Sequence, residues 1–590
     1  MMNTVMKQPI LALACALALT ACESNDDHAA SGASGQTLGQ ISGTAASGAP
    51  LDNGSITIKD AQGRAITVQT DAQGRYSADL SQFASPALLE ATGLIGGMPV
   101  SLHSVATQAG TVNITPLTDA ILSMSSGTEA SECFLNAAAC TAKFDIAKLE
   151  QSQASLKAAL APLMQAVGLD SRTDLLRTAF AADKTGQDKL LEMVDVSADG
   201  QARSIRLQSK RAQTAIKVSR DQKPTPLPAD DLPDLSRLDE LAAQLNAAYL
   251  SADGLDKRLA TLLSDDFQFD GDNAAQYLAR EMDDAGYGET YVGGRFSPPK
   301  VETCYSAALC QISMTVRVPG MAPGSFRMKA RLQKEGWKLA GNDSPVSLEI
   351  GPGARQIISA ADKSNVKVSL LTLALSQYAR HDNPVYPQPD RPAPQVIARS
   401  AQLLADGKAI LTLKENAACE QLEPQELASA NPDYHCPVNY LTPDGFAAVY
   451  NDALSRNVLK LRFYADDHFA QPVGKDVIPR APLFTANQIS QQAFPTLTSD
   501  TLQALTKANG ASDLKLAWQV PPQLWFNSLS LDMRQQGQPQ RFEDSAGTLA
   551  NPLALNAHKS PTLTAPDFLR VTVWSLDRQG RGLYTRYQLR

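Results

Sequence analysis

A group of aspartates between Asp265 and Asp272 contains the side chains in this sequence that are best placed to carry chemistry. Clustered carboxylates bind calcium, which takes about six to eight oxygen ligands, but the spacing here differs from the loop pattern D-x-[DN]-x-[DN]-G. Asp266 is a candidate general base instead, on the condition that burial raises its pKa. The simpler interpretation is a solvated junction between a helix and a strand.

Aromatic residues near this acidic segment could line an apolar pocket. With Asp266 they form a candidate ligand pocket, whose members are Asp266, Tyr277, Tyr291, Phe296 and Trp337. Such a pocket would hold a small ligand through apolar contacts and a few well-placed polar groups. The alternative is that the aromatic rings belong to an ordinary hydrophobic core.

The sequence lacks the familiar catalytic motifs. It contains no G-x-S-x-G, no P-loop, no G-x-G-x-x-G before a helix and no H-E-x-x-H. Lys184-Thr185-Gly186 matches K-T-G and Ser364-Asn365-Val366-Lys367 matches S-x-x-K, but penicillin-binding enzymes carry these two motifs in the opposite order. We therefore expect no catalytic residue, no metal site and no cofactor.

The cysteines favour disulfides over zinc. Of eight cysteines, Cys15 would be lost with a signal peptide and Cys22 would carry lipid. Since no C-x-x-C is present, the others are poor zinc ligands, and an exported chain meets an oxidising compartment. Sequence alone leaves their connectivity open, although they fall into three local pairs: Cys133 with Cys140, Cys304 with Cys310, and Cys419 with Cys436.

The N-terminus predicts export and lipid attachment. An apolar run from Ile10 to Leu19 is too short to span a bilayer and is typical of a signal peptide, here residues 1–21. Leu19-Thr20-Ala21-Cys22 resembles a bacterial lipobox, which implies acylation of Cys22 and a lipid anchor in the membrane. Residues 22–40 would form a flexible tether. The residue after the cysteine is Glu23 and not aspartate, which by resemblance to the sorting rule of Gram-negative lipoproteins favours the outer membrane.

Composition limits the class of protein. The 590 residues suggest about three to five domains. Hydrophobic residues are 43% and charged residues 19% of the chain, which excludes a wholly disordered protein. With 53 basic and 61 acidic residues the net charge is -8, so we expect no nucleic-acid partner.

The first half of the chain predicts a sandwich followed by helices. Residues 41–112 alternate polar and apolar side chains between glycine turns. At Ile41-Ser42-Gly43 and Thr70-Asp71-Ala72-Gln73-Gly74-Arg75-Tyr76 they resemble the carboxypeptidase regulatory-like (transthyretin-like) family, which implies an accessory β-sandwich. Residues 113–220 predict a helical spacer with short strands and helices over Leu149–Val167 and Arg172–Ala181. Residues 221–234 predict a proline-rich, extended linker.

The second half predicts an α+β domain and further sandwiches. Residues 235–343 place helices before three strands, and at Leu262-Leu263-Ser264-Asp265-Asp266-Phe267 and Gly336-Trp337-Lys338-Leu339 they resemble the nuclear-transport-factor-like (cystatin-like) cone. Residues 344–475 predict a β-sandwich, and residues 476–590 resemble a fibronectin type III sandwich. The expected fold class is multidomain and mainly β with α+β, with antiparallel sandwiches, a helical spacer and a cystatin-like cone.

These features favour a non-enzymatic binding or scaffold protein of the cell envelope. Its modules would face a protein or glycan partner, while the lipid anchor holds the membrane. Two alternatives stay open: an enzyme or small-ligand receptor centred on the cone, and a periplasmic envelope-assembly factor. Because fold does not fix function, orientation in the envelope and ligand binding by the cone must separate these hypotheses.

Overall fold

The structure is a computed structural model of the chain. Strands make up 44% and helices 21% of it, so the predicted multidomain, mainly β class is confirmed, with several separate and mostly antiparallel sheets. The residues that the structure describes are 37–198, 203–212, 214–229, 231–282, 291–321, 323–376, 398–416, 421–424, 439–441, 460–477, 484, 489–490, 492–507, 515–521, 524–535, 538–544, 555–556, 568–577 and 581–589.

Residues 37–112 form a two-sheet sandwich. One sheet has the order β4-β1-β7 and the other β3-β2-β5-β6. The predicted alternation is confirmed in β2, where Ile56 and Ile58 are fully buried between half-exposed neighbours. The Tyr76 hydroxyl donates to the carbonyl of Val112 at 2.6 Å and ties the two ends of the sandwich together. The strands are β1 (Gln40–Thr44), β2 (Ser55–Asp60), β3 (Ala65–Gln69), β4 (Arg75–Asp79), β5 (Ala87–Ile95), β6 (Met98–Ala106) and β7 (Gly110–Thr111).

Residues 113–220 form the helical region. Its first helix starts at a capping box, in which the Thr115 and Thr118 hydroxyls each accept from the other residue's backbone N–H. That helix ends at Gly127, whose φ of 77° suits glycine at a helix C-terminus. The elements are α1 (Pro116–Ser126), α2 (Ala130–Leu135), α3 (Ala137–Thr141), α4 (Ile146–Ala166), α5 (Gly186–Met193), β8 (Val194–Ala198), β9 (Ser204–Ser209) and β10 (Ala215–Ser219).

Two details of this region differ from the sequence predictions. No helix forms over 172–181, because the Asp174 carboxylate accepts from the backbone N–H groups of Leu176 and Arg177 and closes a turn instead. The predicted linker contains neither helix nor strand in its described residues, but it packs along α4. Leu227 is fully buried, and its N–H donates to the carbonyl of Ala159 at 2.8 Å. Leu227 therefore anchors the linker in the core, although most of the linker's described residues are exposed or half-buried.

Residues 235–343 combine helices with a mostly antiparallel sheet, and the helices α6 and α7 come before the strands as the sequence predicts. The described strands have the order β12-β11-β17-β16-β15-β13, and β14 also pairs with β15. Only the β11–β17 pair among these is parallel. We call this region the cone; its elements are α6 (Leu238–Ala248), α7 (Leu255–Ala260), β11 (Leu263–Phe269), β12 (Asp272–Asn273), α8 (Ala274–Glu281), β13 (Arg295–Phe296), β14 (Lys300–Ser306), β15 (Leu309–Arg317), β16 (Gly324–Gln333) and β17 (Gly336–Gly341).

Most described strands beyond residue 343 belong to one 12-stranded sheet, called here the C-terminal sheet. The elements beyond residue 343 are β18 (Ser347–Ser359), β19 (Asn365–Ser376), β20 (Ser400–Ala405), β21 (Lys408–Asn416), β22 (Gln421–Pro424), β23 (Asn439–Leu441), β24 (Lys460–Tyr464), β25 (Pro472–Val477), β26 (Thr496–Leu497), α9 (Ser499–Lys507), β27 (Lys515–Leu516), β28 (Trp518–Gln519), β29 (Trp525–Gln535), β30 (Gln538–Asp544), β31 (Leu555–Asn556), β32 (Phe568–Leu576) and β33 (Gly582–Gln588).

This sheet crosses the predicted boundary at residues 475 and 476. Strand β18, from the first predicted sandwich, runs parallel to β33, from the second, with Gly353 opposite Gly582. Two separate hydrophobic clusters still pack on the sheet, one around Leu403 and Phe463 and the other around Trp518 and Val571. Ala354 of β18 belongs to the second cluster, so the two cores share one sheet and do not follow the predicted boundary.

The sandwich, the helical region and the cone share one further core. It runs from Ala46 and Val105 through α1 and α4 to Leu339 at the end of the cone. We call the described part of residues 37–343 the N-terminal body. None of the helices among the described residues has the length and apolar character needed to cross a membrane.

Candidate functional site

The aromatic residues of the predicted ligand pocket lie in two groups of ring contacts within the cone. In one group, Tyr249 stacks obliquely on Phe296 with ring centroids 5.2 Å apart, and Tyr291 meets Tyr249 edge-on at 6.2 Å. Phe326 closes this group at 5.6 Å from Phe296. The rings of Tyr291 and Phe296 therefore contact the cone's own side chains.

Tyr277 belongs to the second group. Its ring lies 5.0 Å from Phe267 and 5.4 Å from Phe269, and the Arg280 guanidinium stands over it at 5.3 Å. Burial raises the pKa of the Tyr277 hydroxyl, and the nearby carboxylate of Glu281 adds to the effect. This tyrosine stays protonated at neutral pH and can only donate or accept a hydrogen bond there.

Trp337 and Asp266 stand apart from these groups. The Trp337 ring is 3% exposed, and its Nε1–H donates to the carbonyl of Asp234 at 3.1 Å, which fixes the linker on the cone. Asp266 is exposed, and its carboxylate lies 2.8 Å from Nη2 of Arg331. The structure gives Asp266 an ion pair at the surface, away from the desolvated setting that a general base would need.

Two of the three predicted cysteine pairs are disulfides in the structure. Cys133–Cys140 joins α2 to α3, and Cys304–Cys310 joins β14 to β15. Cys419, Cys436 and the lipid-attachment residue Cys22 lie outside the described residues. Among the described residues no cluster of three or more His, Cys, Asp or Glu side chains is arranged to hold a metal ion.

A shallow groove of about 450 Å³ opens between α7 and α8 on the outside of the cone. Its walls are mainly small or apolar, with one acidic and one basic residue at the rim: Ala252, Asp256, Lys257, Ala260, Ala275, Leu278, Ala279 and Met282. A groove with this lining can accept an apolar group of modest size.

A buried charged cluster lies where the three parts of the N-terminal body meet. The Lys184 ammonium is 1% exposed and lies 2.7 Å from Oε1 of Glu192, a fully buried carboxylate on α5. Lys184 also donates to the carbonyl of Gly48 in the sandwich and lies 3.6 Å from Oδ1 of Asp239 on α6 of the cone. One ammonium thus connects all three parts.

Further contacts extend this cluster, which we call the junction. The Lys184 backbone N–H donates to Oδ2 of Asp188 at 2.8 Å, and the Val301 N–H of the cone donates to Oε2 of Glu192 at 2.8 Å. The ammonium of Lys210, also buried, donates to the Val301 carbonyl at 2.8 Å. Desolvated charges of this kind stabilise an interface only when their partners are held in place.

The titration properties of the junction follow from burial and from mutual charge. Burial raises the pKa of Asp188 to about 7, and the Glu192 and Asp239 charges add to this while Lys184 opposes it. Burial also raises the pKa values of Glu192 and Asp239 against the pull of Lys184. Burial alone would lower the pKa of Lys184, but the three carboxyl groups outweigh it and raise that pKa.

Gly48 is required at the junction for steric reasons. Its φ is 79°, and a Cβ atom built there would lie 2.5 Å from Cδ of Glu192. A glycine therefore lets the sandwich loop approach the buried carboxylate closely. A glycine is also required in the β5–β6 turn of the sandwich, which contacts the cone. A Cβ on Gly97 there would lie 2.3 Å from Cα of Ser325 in the cone.

His103 provides a second buried polar contact, between the sandwich and α1. Its ring is fully buried on β6, with Nδ1 3.0 Å from Asp119 of α1 and Nε2 3.4 Å from Glu90 of β5. The Thr118 hydroxyl donates to the His103 carbonyl at 2.8 Å. An imidazole between two carboxylates holds α1 against the sandwich.

The comparisons with known proteins add no relative. No family model matches the chain, and no curated protein matches it. The resemblances to the carboxypeptidase regulatory-like and nuclear-transport-factor-like families stay predictions. The geometry defines a mainly β protein. Its sandwich, helical region and cone are held together by buried charged side chains.

Sequence reasoning did not find the junction, although two signals for it exist. Glu192 interrupts an apolar run from Leu190 to Val194, which is where a buried partner for a cation would be expected. The second signal is a nearby cation, Lys184 of the K-T-G match, which precedes Glu192 in the same segment. Neither signal reveals that Gly48 and Val301, both distant in sequence, approach these side chains.

Proposed function

We propose that this chain is a lipid-anchored scaffold of the bacterial cell envelope that presents its C-terminal sheet to a protein or glycan partner. The observation that carries the proposal is the sealed N-terminal body. Interfaces between domains of one chain are commonly polar and permit relative motion. Here the sandwich, helical region and cone share a hydrophobic core and a set of buried ion pairs, so they suit a stiff support.

The anchor of this scaffold would be the acylated Cys22. More than one acyl chain on the mature N-terminus gives stable attachment, since each buried CH₂ adds about 0.8 kcal/mol of membrane affinity. Residues 37–40 pack on the sandwich, where Leu38 is buried and β1 begins at Gln40, so the tether predicted over 22–40 would end before Thr37. Such a tether would let the stiff body stand off the lipid surface. A stiff body on a flexible tether would hold the C-terminal sheet away from the membrane, where a partner can reach it. This role requires no catalytic residue.

Protease treatment of intact cells, followed by mass spectrometry of the released peptides, tests the orientation. Release of peptides from residues 344–590 would support an outward-facing binding protein. Protection until the outer membrane is permeabilised would support the envelope-assembly alternative. The C22A variant is the control for the anchor, and it should leave the membrane fraction.

A photo-crosslinking amino acid tests partner binding directly. We would place it at Val366, which is 46% exposed on β19, and as a matched control at Leu250, which is 78% exposed on the cone. The scaffold proposal expects a specific adduct from Val366 or from other exposed positions of the C-terminal sheet, and none from Leu250. Adducts from Leu250 alone would contradict it, as would turnover of a substrate that a point variant abolishes.

The groove between α7 and α8 favours a second candidate, a small-ligand receptor. A ligand bound there would raise the melting temperature of the chain, with the logarithmic dependence on ligand concentration that linkage requires. Ala279 is exposed in the groove wall, so Ala279→Trp should fill the groove and abolish that rise. A ligand whose effect survives this substitution binds elsewhere.

A further inference from the structure

The junction places an excess of carboxyl groups around one ammonium. Asp188, Glu192 and Asp239 all act on Lys184, and the first two are fully buried. Asp183 acts on Asp239 from the exposed side. Lys210 is the second ammonium, but it acts on Glu192 and lies 3.7 Å from Asp195, so it does not compensate Asp188.

Asp188 is the member of this cluster with the weakest compensation. Its Oδ2 accepts the Lys184 N–H, but its buried Oδ1 has no hydrogen-bond partner among the described residues. An ionised carboxylate whose buried oxygen has no hydrogen-bond partner among the described residues is costly, whereas the neutral acid is much less so. The docked geometry therefore favours a proton on Asp188.

We infer that Asp188 is a proton-operated latch: its protonation holds the sandwich, α5 and the cone together, and its ionisation loosens their contact. The inference does not depend on the proposed scaffold function, because it concerns how the N-terminal body closes. The moving contacts are those of Lys184 with Gly48 and Asp239, and of Glu192 with Val301.

The sign of the effect follows from proton linkage. When the junction opens, Asp188 regains a pKa near the ordinary value of 3.8, whereas in the closed junction burial holds that pKa near 7. The closed form binds the extra proton, so closure is strongest below about pH 4 and weakens as pH rises to about 7. Glu192 and Asp239 shift in the same direction, and Lys184 stays charged throughout this range.

Hydrogen exchange of the full chain tests the latch. Peptides covering residues 183–193 and 45–50 report opening of the junction, once the intrinsic pH dependence of exchange is removed. Between pH 5 and pH 7 we expect protection of the wild-type peptides to fall by up to about tenfold per pH unit. In D188N the side chain keeps its shape but cannot ionise, so protection should fall clearly less than in wild type; Glu192 and Asp239 account for any fall that remains.

The control is D265N, which removes an exposed carboxylate of the cone. It should reproduce the wild-type fall in protection. An equal fall in wild type and D188N would overturn the latch, because the titrating group would then be another one. His103 is present in both proteins and cancels in this comparison.

A second variant keeps the test decisive if D188N folds poorly. Asp239 is half-buried and its charge raises the pKa of Asp188, so D239N should move the wild-type fall in protection to lower pH. An unchanged midpoint in D239N, together with normal folding, would also overturn the proposal. The proposal would likewise be overturned if the junction of the wild-type protein opened to the same extent at every pH.

Discussion

Within the N-terminal body, the sandwich and the cone keep separate sheets and meet through side chains, whereas the two cores of the C-terminal sheet are joined by backbone. The first arrangement uses Lys184, Glu192 and a shared apolar core. The second uses the parallel ladder between β18 and β33. Neighbouring modules are thus held together in two ways. The contact at the junction depends on the charges of a few side chains, whereas the β18–β33 ladder depends little on side-chain charge.

This difference follows from what each contact loses when one group is removed. A ladder distributes its hydrogen bonds over many residues, and each contributes about 1 kcal/mol. A buried ion cluster concentrates its energy in few groups, so that deleting one leaves the others charged and desolvated. Removing one charged group of the junction should therefore cost more than removing one hydrogen bond of the β18–β33 ladder.

The largest expected effect is that of Lys184→Met. Removing the ammonium leaves Glu192 and Asp239 without their cation, which should destabilise the N-terminal body by about 3–5 kcal/mol. Calorimetry with hydrogen exchange would locate the loss to residues 37–343. Lys367→Met is the control, since Lys367 is exposed on β19, where its ammonium donates to the Gln492 carbonyl and stands 5.3 Å from the Phe494 ring centroid without a carboxylate partner among the contacts described. Equal losses in both variants would contradict the comparison.

The next effect tests whether the C-terminal sheet unfolds as one unit. Leu403 and Leu583 are fully buried in different cores of that sheet. Truncation of either to alanine should cost about 2–5 kcal/mol. If the β18–β33 ladder couples the two cores, L403A and L583A will lower the same calorimetric transition. Two transitions that shift independently would show that the shared ladder does not make a cooperative unit.

Much of the local structure was predictable because it depends on nearby residues. The alternation around Ile56 and Ile58 predicted a strand, and the apolar spacing from Leu149 predicted α4. The runs near Leu309 and Trp337 predicted strands of the cone. Each pattern is set by which face of one element is buried, and this can be recognised in a short window of sequence.

The contacts between modules were not predictable for the opposite reason. Strand β18 lies near the start of the C-terminal sheet's sequence, and its partner β33 lies at the end of the chain. The register between two strands so far apart cannot be recognised in a short window of sequence. The junction likewise needs Gly48, Lys184 and Val301 to meet. A buried lysine looks the same in sequence as a solvated one until its partners are known.

A smaller effect is expected from Gly97→Ala. Both Gly97 and Gly63 lie in sandwich turns with φ of 73° and 81°, so alanine strains the backbone of each by about 1–2 kcal/mol. At Gly63 a Cβ meets nothing within 4 Å, whereas at Gly97 it lies 2.3 Å from Ser325 of the cone. Urea denaturation should show about 1–3 kcal/mol more loss for G97A than for G63A. Equal losses would mean that the sandwich does not press on the cone.

The smallest effect concerns Asp476, whose contribution to stability should have the opposite pH dependence to that proposed for Asp188. In the C-terminal sheet, the partly exposed Asp476 carboxylate accepts two hydrogen bonds of 2.8 Å from Arg462, which hold its pKa below the usual range. A carboxyl group whose folded-state pKa is lowered stabilises the fold above its ordinary value of 3.8, and this stability disappears as pH falls through the lower value. Asp476→Asn should therefore cost about 0.5–1 kcal/mol at pH 6, and this cost should shrink as pH falls below 3.8. If the loss of stability in Asp476→Asn instead increased at acidic pH, Asp476 would behave like the buried Asp188. The contrast between the N-terminal body, held by buried charges, and the C-terminal sheet, held by its backbone ladder, would then fail at this position.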